Sequence, residues 1–389
     1  MVTPEFKQIR GRIRTVGKYT VDIRRKEYLD FSGAAMAVGH NFVTPSDLTS
    51  PVSFLVFRNS YTERLMGKLK TMSGFSNVAF ATSGTEACDA ALQMNYGKAY
   101  ISFEGAYHGL DYITYLVSNG TGIDRKNGIV HLKFPNSEVS EEYAIQENER
   151  ILKKASRVLD TEGGTVITEL VQSDGGINVM GKQFASSLKE MVRDFNLRLI
   201  VDEVYTALGR SGEMFLYKSY GLRPNSVCLG KALGAGLPLG AVLYNGDYPL
   251  YKNNVVSMQA ATMFTARVAL KVLSRITEEE VRYVREMGKE IIERLQEIRN
   301  ERIKEVRGRG FMIGVEFVDS RGKPDPEYSL KMRNRIAKKG VVCTLVGAKN
   351  NVLKITPPVT IPRRMLERGV SIIADELKAT QEFKGRRLH

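Results

Sequence analysis

The feature that most constrains this chain is the alternation, through its middle, of short apolar runs with longer amphipathic stretches. Val78–Ala81, Ala99–Phe103, Gly164–Glu169, Leu197–Asp202 and Ser226–Leu229 are apolar almost throughout, and helix-like stretches such as Glu86–Tyr96, Ser140–Leu159 and Gly181–Phe195 lie between them. A run that is apolar at every residue, rather than at every second one, buries both faces of its strand. Strands separated by helices predict crossover connections, hence an α/β fold with a mostly parallel sheet covered on both sides. After this block the spacing predicts one long helix over roughly Met263–Asn300. Strand-like pieces follow (FMIGVEF, VVCTLV, NVLKIT), and a last amphipathic helix runs from about Arg363 to Glu382. This second block reads as a smaller α+β unit, and a chain of 389 residues is long enough for two domains.

Several function classes drop out early. No apolar run reaches eighteen residues, so no membrane span is expected. The N-terminal MVTPEFKQIRGRIR is charged from the start and lacks a secretory apolar core, which makes the cytoplasm the expected compartment. Cys88, Cys228 and Cys343 are widely separated and odd in number, and the four histidines show no paired spacing. No disulfide framework and no metal site is therefore expected. The net charge of +14 is spread among acidic residues between Ser274 and Arg309, as on a solvated helix face, and only the Lys384–Arg387 tail is purely basic. No nucleic-acid partner is expected.

Three short segments carry chemistry. Ser83-Gly84-Thr85-Glu86 follows an apolar run and opens a helix, whose free N–H groups and positive dipole end favour an anion; taken alone it is equally a capping box. Asp202 ends an apolar strand at the edge where open parallel sheets bind ligands. A carboxylate there can keep a pyridine nitrogen protonated, though it also fits an ordinary strand-end aspartate. Lys231 lies after a strand and ahead of the glycine-rich ALGAGLPLG, and Ala232 in place of Ser or Thr excludes a P-loop. A lysine entering a partly buried pocket gives up its proton readily and can form an imine with an aldehyde.

Their order, together with further segments, resembles the class III aminotransferases, pyridoxal-phosphate enzymes of fold type I (aspartate-aminotransferase-like). The resemblance runs over nearly the whole chain. It includes Gly17–Asp22, Tyr28–Ala34, SGTEA, Gly105-Ala106-Tyr107-His108-Gly109, Thr168–Gly176, DEVYTALGRSG, the Lys231 segment, Val306–Met312 and Thr356-Pro357-Pro358. It implies a large cofactor-binding domain over 45–265 and a small C-terminal domain over 266–389 that is entered by the long helix and joined by the 1–44 segment. Pyridoxal 5'-phosphate is the implied cofactor. Lys231 would hold it as a Schiff base and shuttle protons; Asp202 would meet the ring nitrogen. Ser83, Gly84 and Thr85 would face the phosphate, Tyr107 and Val204 the two ring faces, and Tyr205 the ring hydroxyl. Glu169 would lie near the substrate, whereas His108 and Arg210 would fix backbone around the site. The implied partners are a small-molecule amino donor, an oxo-acid acceptor and a second copy of the chain, as a homodimer or larger oligomer.

The sequence departs from the family pattern where substrate would bind. The usual second glutamate of the Glu-Pro-Val-Gln-Gly-Glu-Gly-Gly segment is Asp174, and an arginine expected before Pro357-Pro358 is Lys354. Both partners of a carboxylate gate would thus be replaced together, which predicts altered recognition of glutamate and 2-oxoglutarate. Met258 takes the place of a partner-subunit threonine, so that either Ser257 or Thr262 supplies a hydroxyl to the phosphate or the phosphate is held with one donor fewer. An aminotransferase is the first expectation. The same features fit an aminomutase of the glutamate-1-semialdehyde type or an amino-acid racemase. A non-catalytic basic binding protein would have no physical need of Lys231, Asp202 and Tyr107 together.

Overall fold

The alternating runs form one large sheet. The computed structural model describes residues 13–23, 26–33, 37–48, 59–95, 99–118, 120–156, 163–246 and 255–379. Eight strands are ordered Asn77–Ala81, Gly240–Tyr244, Ser226–Leu229, Arg198–Asp202, Thr165–Glu169, Tyr100–Phe103, Ile129–Leu132 and Gly122–Asp124. The five strands from Ser226–Leu229 to Ile129–Leu132 are mutually parallel, while Gly240–Tyr244 and Gly122–Asp124 run against their neighbours. Each strand sends alternate side chains to opposite faces. Val78, Phe80, Leu199, Val201, Val227 and Leu229 join one apolar cluster. Ala79, Ala81, Ile200 and Cys228 join another with Ala87, Cys88, Ala90 and Ala91 of the Gly84–Met94 helix. Two cores need apolar residues at every position, and this is the physical origin of the continuous runs. The second cluster is rich in alanine, so the helix can lie close to the sheet.

Two expectations need correction, and three strands of the large sheet were not expected. The long helix over Met263–Asn300 is two helices, Met263–Arg275 and Glu278–Gln296. Buried Ile276 leaves the helical conformation (φ −90°, ψ 90°), and Thr277 with Glu280 makes a capping box that restarts it. Three glutamates, Glu278, Glu279 and Glu280, then fill the first turn, where the dipole favours negative charge. The VVCTLV run is not one strand: Val341–Val342 pairs in parallel with Lys26–Asp30, while Thr344–Val346 pairs with Val352–Ile355 in a different sheet. The unexpected strands are Gly122–Asp124, Ile129–Leu132 and Gly240–Tyr244, the last hidden in sequence behind GLPLG. Gly240–Tyr244 sits between Asn77–Ala81 and Ser226–Leu229.

The remaining elements match their patterns at their centres. Helices span Glu141–Ala155, Lys182–Asp194 and Arg363–Ala379. The expected extensions to Tyr96, Leu159 and Glu382, and the basic 384–387 tail, lie outside the described residues. Ile303–Arg309, Met312–Phe317, Val352–Ile355 and Thr344–Val346 form a four-stranded antiparallel sheet. Arg210 ties distant segments together: fully buried, its guanidinium donates to the carbonyls of Phe311 (3.4 Å), Pro357 and Gly33 (3.1 Å). This is the backbone-fixing role that the sequence suggested. Among the described residues, no helix is long and apolar enough to cross a membrane.

Candidate active site

The C-terminal ends of the parallel strands bring the chemistry together. Asp202 lies opposite Glu169 on one side and Cys228 on the other. Lys231 follows the end of Ser226–Leu229 by two residues. A cavity of about 210 Å³ opens at this edge, and its lining includes Gly84, Thr85, Tyr107, His108, Asp202 and Lys231. Glu169, Val171, Ser173, Asp174, Val204, Tyr205 and Thr206 complete the wall.

One end of the cavity is a helix N-terminus. Ser83 is the N-cap of Gly84–Met94, its Oγ accepting from the Glu86 N–H (3.0 Å), while the Glu86 carboxylate reaches back to Thr82. Ser83 is thus engaged as a cap, and Gly84 and Thr85 face the cavity. Close approach explains two glycines here. A Cβ on Gly84 would lie 2.5 Å from Val204 Cγ1, and one on Gly230 would lie 3.0 Å from Gly84 Cα. The lysine turn and the helix end therefore meet only because both positions lack a side chain.

Lys231 itself sits at φ +41°, a left-handed conformation uncommon for a residue with a side chain. Such strain persists where the surrounding structure fixes it, and is frequent at functional positions. Its Nζ lies 4.8 Å from the centre of the Tyr205 ring, and Lys354 Nζ lies 5.1 Å from the same ring. Tyr205 is buried, with its hydroxyl donating to Thr356 Oγ1 (3.4 Å).

Asp202 is held by three donors. Its Oδ2 lies 2.8 Å from His108 Nδ1 and accepts from the Cys88 thiol at 3.4 Å, and its Oδ1 accepts from the Val204 N–H at 3.0 Å. Sequence reasoning gave His108 only a backbone role. It is instead the carboxylate's partner, and Cys88 was missed altogether. The proximity of His108 to Tyr107 in GAYHG was a usable signal for the first; nothing in the sequence pointed to the second.

Glu169 lines the cavity, but both its oxygens hold backbone: one accepts from the Tyr107 N–H (3.0 Å), the other from the Ser173 N–H (3.2 Å). Burial, reinforced by the charges of Asp202 and Asp174, pushes its pKa well above the usual carboxylate range. Beside it, Lys354 Nζ meets Asp174 Oδ1 and Ser173 Oγ, each at 3.4 Å. Burial opposes the Lys354 charge, yet Tyr205, Asp174 and Glu169 outweigh it and raise its pKa above the ordinary lysine value. Two residues expected from sequence, Asp174 and Lys354, thus form an ion pair. Thr262 does not line the cavity; it caps its own helix, accepting from the Thr265 N–H at 3.3 Å.

A second histidine lies behind His108. His131 is buried, and burial pushes its pKa from 6.5 down to about 4, with Asp124 opposing and His108 adding to the effect. The unfolded chain takes up this proton below about pH 6.5, the folded chain only near pH 4. Stability is therefore lost as pH falls through that window, by up to about 3 kcal/mol. His131→Gln is expected to flatten this acid limb, as measured by Tm at pH 4.5 and pH 7; an unchanged drop would contradict the assignment.

A positive helix end, a carboxylate fixed by three donors, an amine and the flanking Tyr107 and Val204 share one cavity. The donor set fits an anionic, aromatic aldehyde with a ring nitrogen, and so defines a pyridoxal-phosphate site at the edge of a transaminase-type α/β sheet. Comparison with known proteins agrees. Residues 9–377 match the family model described as aminotransferase class-III. The chain is 30% identical to an acetylornithine aminotransferase of Aquifex aeolicus over 94% of its own length and 96% of that protein's. It is 27% identical to an alanine/serine racemase of Pyrococcus horikoshii, covering 94% and 85% of the two chains. An amine transaminase from an uncultivated Pseudomonas species, solved with pyridoxal phosphate bound, shares the fold with a TM-score of 0.83 at 22% identity, over 97% of this chain and 98% of that one. The chain belongs to the class III aminotransferases, enzymes that work with pyridoxal phosphate.

Proposed function

We propose that this aminotransferase takes a carboxylate-bearing oxo acid as amino acceptor, with Lys231 holding the cofactor covalently and Lys354 receiving the acceptor's carboxylate. The observation that carries this reading is that Lys231 and Lys354 approach the same Tyr205 ring, and that Ser173 and Asp174, the partners of Lys354, line the cavity that Lys231 enters. Pyridoxal phosphate, when bound, supplies an electron-accepting ring that stabilises charge at a carbon losing its proton. The chain's own residues do the rest. The Gly84–Thr85 helix end would bind the phosphate, and the Asp202 carboxylate would hold the proton on the ring nitrogen. Tyr107 and Val204 would flank the ring, and Glu169 holds Tyr107 in place by accepting from the Tyr107 N–H. Lys231 Nζ would take a proton from the substrate Cα and later return it, which is general acid–base catalysis by a group already in position.

Lys354 is buried and paired with Asp174, so an incoming carboxylate would compete with Asp174 for the ammonium or use its remaining N–H. An ammonium is a point charge without the two-point fork of a guanidinium. Lys354→Ala is expected to raise the KM for 2-oxoglutarate roughly 10–100-fold, the worth of one hydrogen bond to a charged group. An unchanged KM would remove Lys354 from the site. The active form proposed is a homodimer, supported by the exposed Leu110, Tyr112, Tyr115 and Met258.

Similarity to a racemase makes a second reading specific. An aminotransferase consumes one equivalent of amino donor and stops until an oxo acid is added. Continuous isomerisation of an amino acid with no oxo acid present would establish racemase or aminomutase chemistry instead.

A further inference from the structure

We infer that Cys88 is a positioning residue for Asp202, its thiol determining which lone pair of the carboxylate is left for the cofactor's ring nitrogen. The inference rests on the pyridoxal-phosphate reading of the cavity. Asp202 is buried, at 5% exposure, so its hydrogen bonds can be accounted for one by one. A carboxylate oxygen offers two lone pairs. On Oδ2 both are used, by His108 Nδ1 at 2.8 Å and by the Cys88 thiol at 3.4 Å. On Oδ1 the Val204 N–H takes one at 3.0 Å. One lone pair of Oδ1 remains.

The direction of the sulfur contact is fixed by chemistry. A carboxylate only accepts, so the thiol must donate. Contact with Cys228, complete burial and the Asp202 charge hold the Cys88 pKa well above the usual thiol range, which keeps the S–H in place. Cys228 directs its own thiol elsewhere, to the Ala87 carbonyl at 3.7 Å. The ligand atoms of Cys88, His108 and Asp202 all lie within 4.8 Å of one another, so the arrangement is compact.

Placement gives the contact its meaning. Cys88 follows Gly84 by one turn on the helix whose N-terminus faces the cavity. Its thiol ties the end that meets the phosphate to the carboxylate that meets the ring nitrogen. Losing the thiol leaves Oδ2 with a free lone pair, and Asp202 can then rotate away from the ring.

The test has two arms, and neither depends on turnover. The first compares the dissociation constant of pyridoxal phosphate for wild type, Cys88→Val and Cys88→Ser, each stripped of cofactor and titrated. Valine fills the space without a donor and is expected to weaken binding roughly ten-fold, while serine restores a donor and recovers most of that loss. Equal affinity of the valine variant and wild type would overturn the inference, as would a serine variant no better than valine. The second arm records the infrared S–H stretch lost between wild type and Cys88→Val. A band shifted below that of a thiol with no acceptor is expected, and an unshifted band would overturn the inference even if a variant folds poorly. Wild type that takes up no pyridoxal phosphate would instead overturn the reading of the cavity, while an S–H band that is shifted, and that shifts back in Asp202→Ala but not in Cys228→Ala, would still uphold the Cys88–Asp202 bond.

Discussion

Lys231→Ala is expected to lower kcat by roughly 10⁴-fold or more while leaving the fold intact, because it removes both the nucleophilic amine and the proton carrier. Among the described residues, no other lysine lines the cavity. Lys354 Nζ reaches the Tyr205 ring too, but it is committed to Asp174 and Ser173. The strained φ of +41° and the bare Gly230 before it fit a backbone held in place for this one side chain. Alanine at 231 tolerates the strain no worse than lysine, so Tm should barely change. Lys231→Arg, which keeps a positive charge but no useful nucleophile, should be equally inactive. Steady-state rates at saturating donor and acceptor measure the effect, and a loss below ten-fold in either variant would assign the chemistry to another group.

Asp202→Asn is expected to reduce kcat by about 10²–10³-fold and to weaken cofactor binding, the scale seen when one fixed electrostatic partner of a reacting group is removed. The cause is the donor arrangement. His108, Cys88 and the Val204 N–H all point hydrogens at this side chain. An asparagine must turn its NH₂ toward one of those donors or toward the ring nitrogen, and an amide oxygen is too weak a partner to keep that nitrogen protonated. The variant therefore loses a charge and gains a clash between donors in a buried site. Rates and cofactor titration together check it; wild-type kcat with wild-type cofactor affinity would show that Asp202 serves the fold alone.

The sheet was legible because its physics is local. Strands that serve two cores must be apolar at each position, and five such runs were found within a residue or two of their ends. Gly240–Tyr244 was not legible, since its start is masked by a glycine-rich turn and its antiparallel direction depends on where Asn77–Ala81 lies. The break at Ile276–Thr277 was legible in principle: a threonine followed by three glutamates is a helix start. It was overridden by the periodicity on either side. At the site, Lys231, Asp202, Gly84 and Thr85 could be read because each sits at the end of a recognisable element. The Asp174–Lys354 pair, 180 residues apart in sequence, came only from the family pattern. The roles of His108 and Cys88 depend on side chains meeting from three different elements, and no spacing in the chain encodes that. Thr262 was expected at the phosphate of a partner subunit; within one chain its oxygen caps its own helix.

Lys231 is the residue proposed to carry the cofactor. Treating the purified protein, loaded with pyridoxal phosphate, with borohydride converts a carbon–nitrogen double bond between lysine and cofactor into a stable single bond. Proteolysis and mass spectrometry then locate the added mass. The account predicts it on the peptide containing Lys231 and on no other lysine. Label on Lys354 or on surface lysines, with Lys231 unmodified, would contradict it.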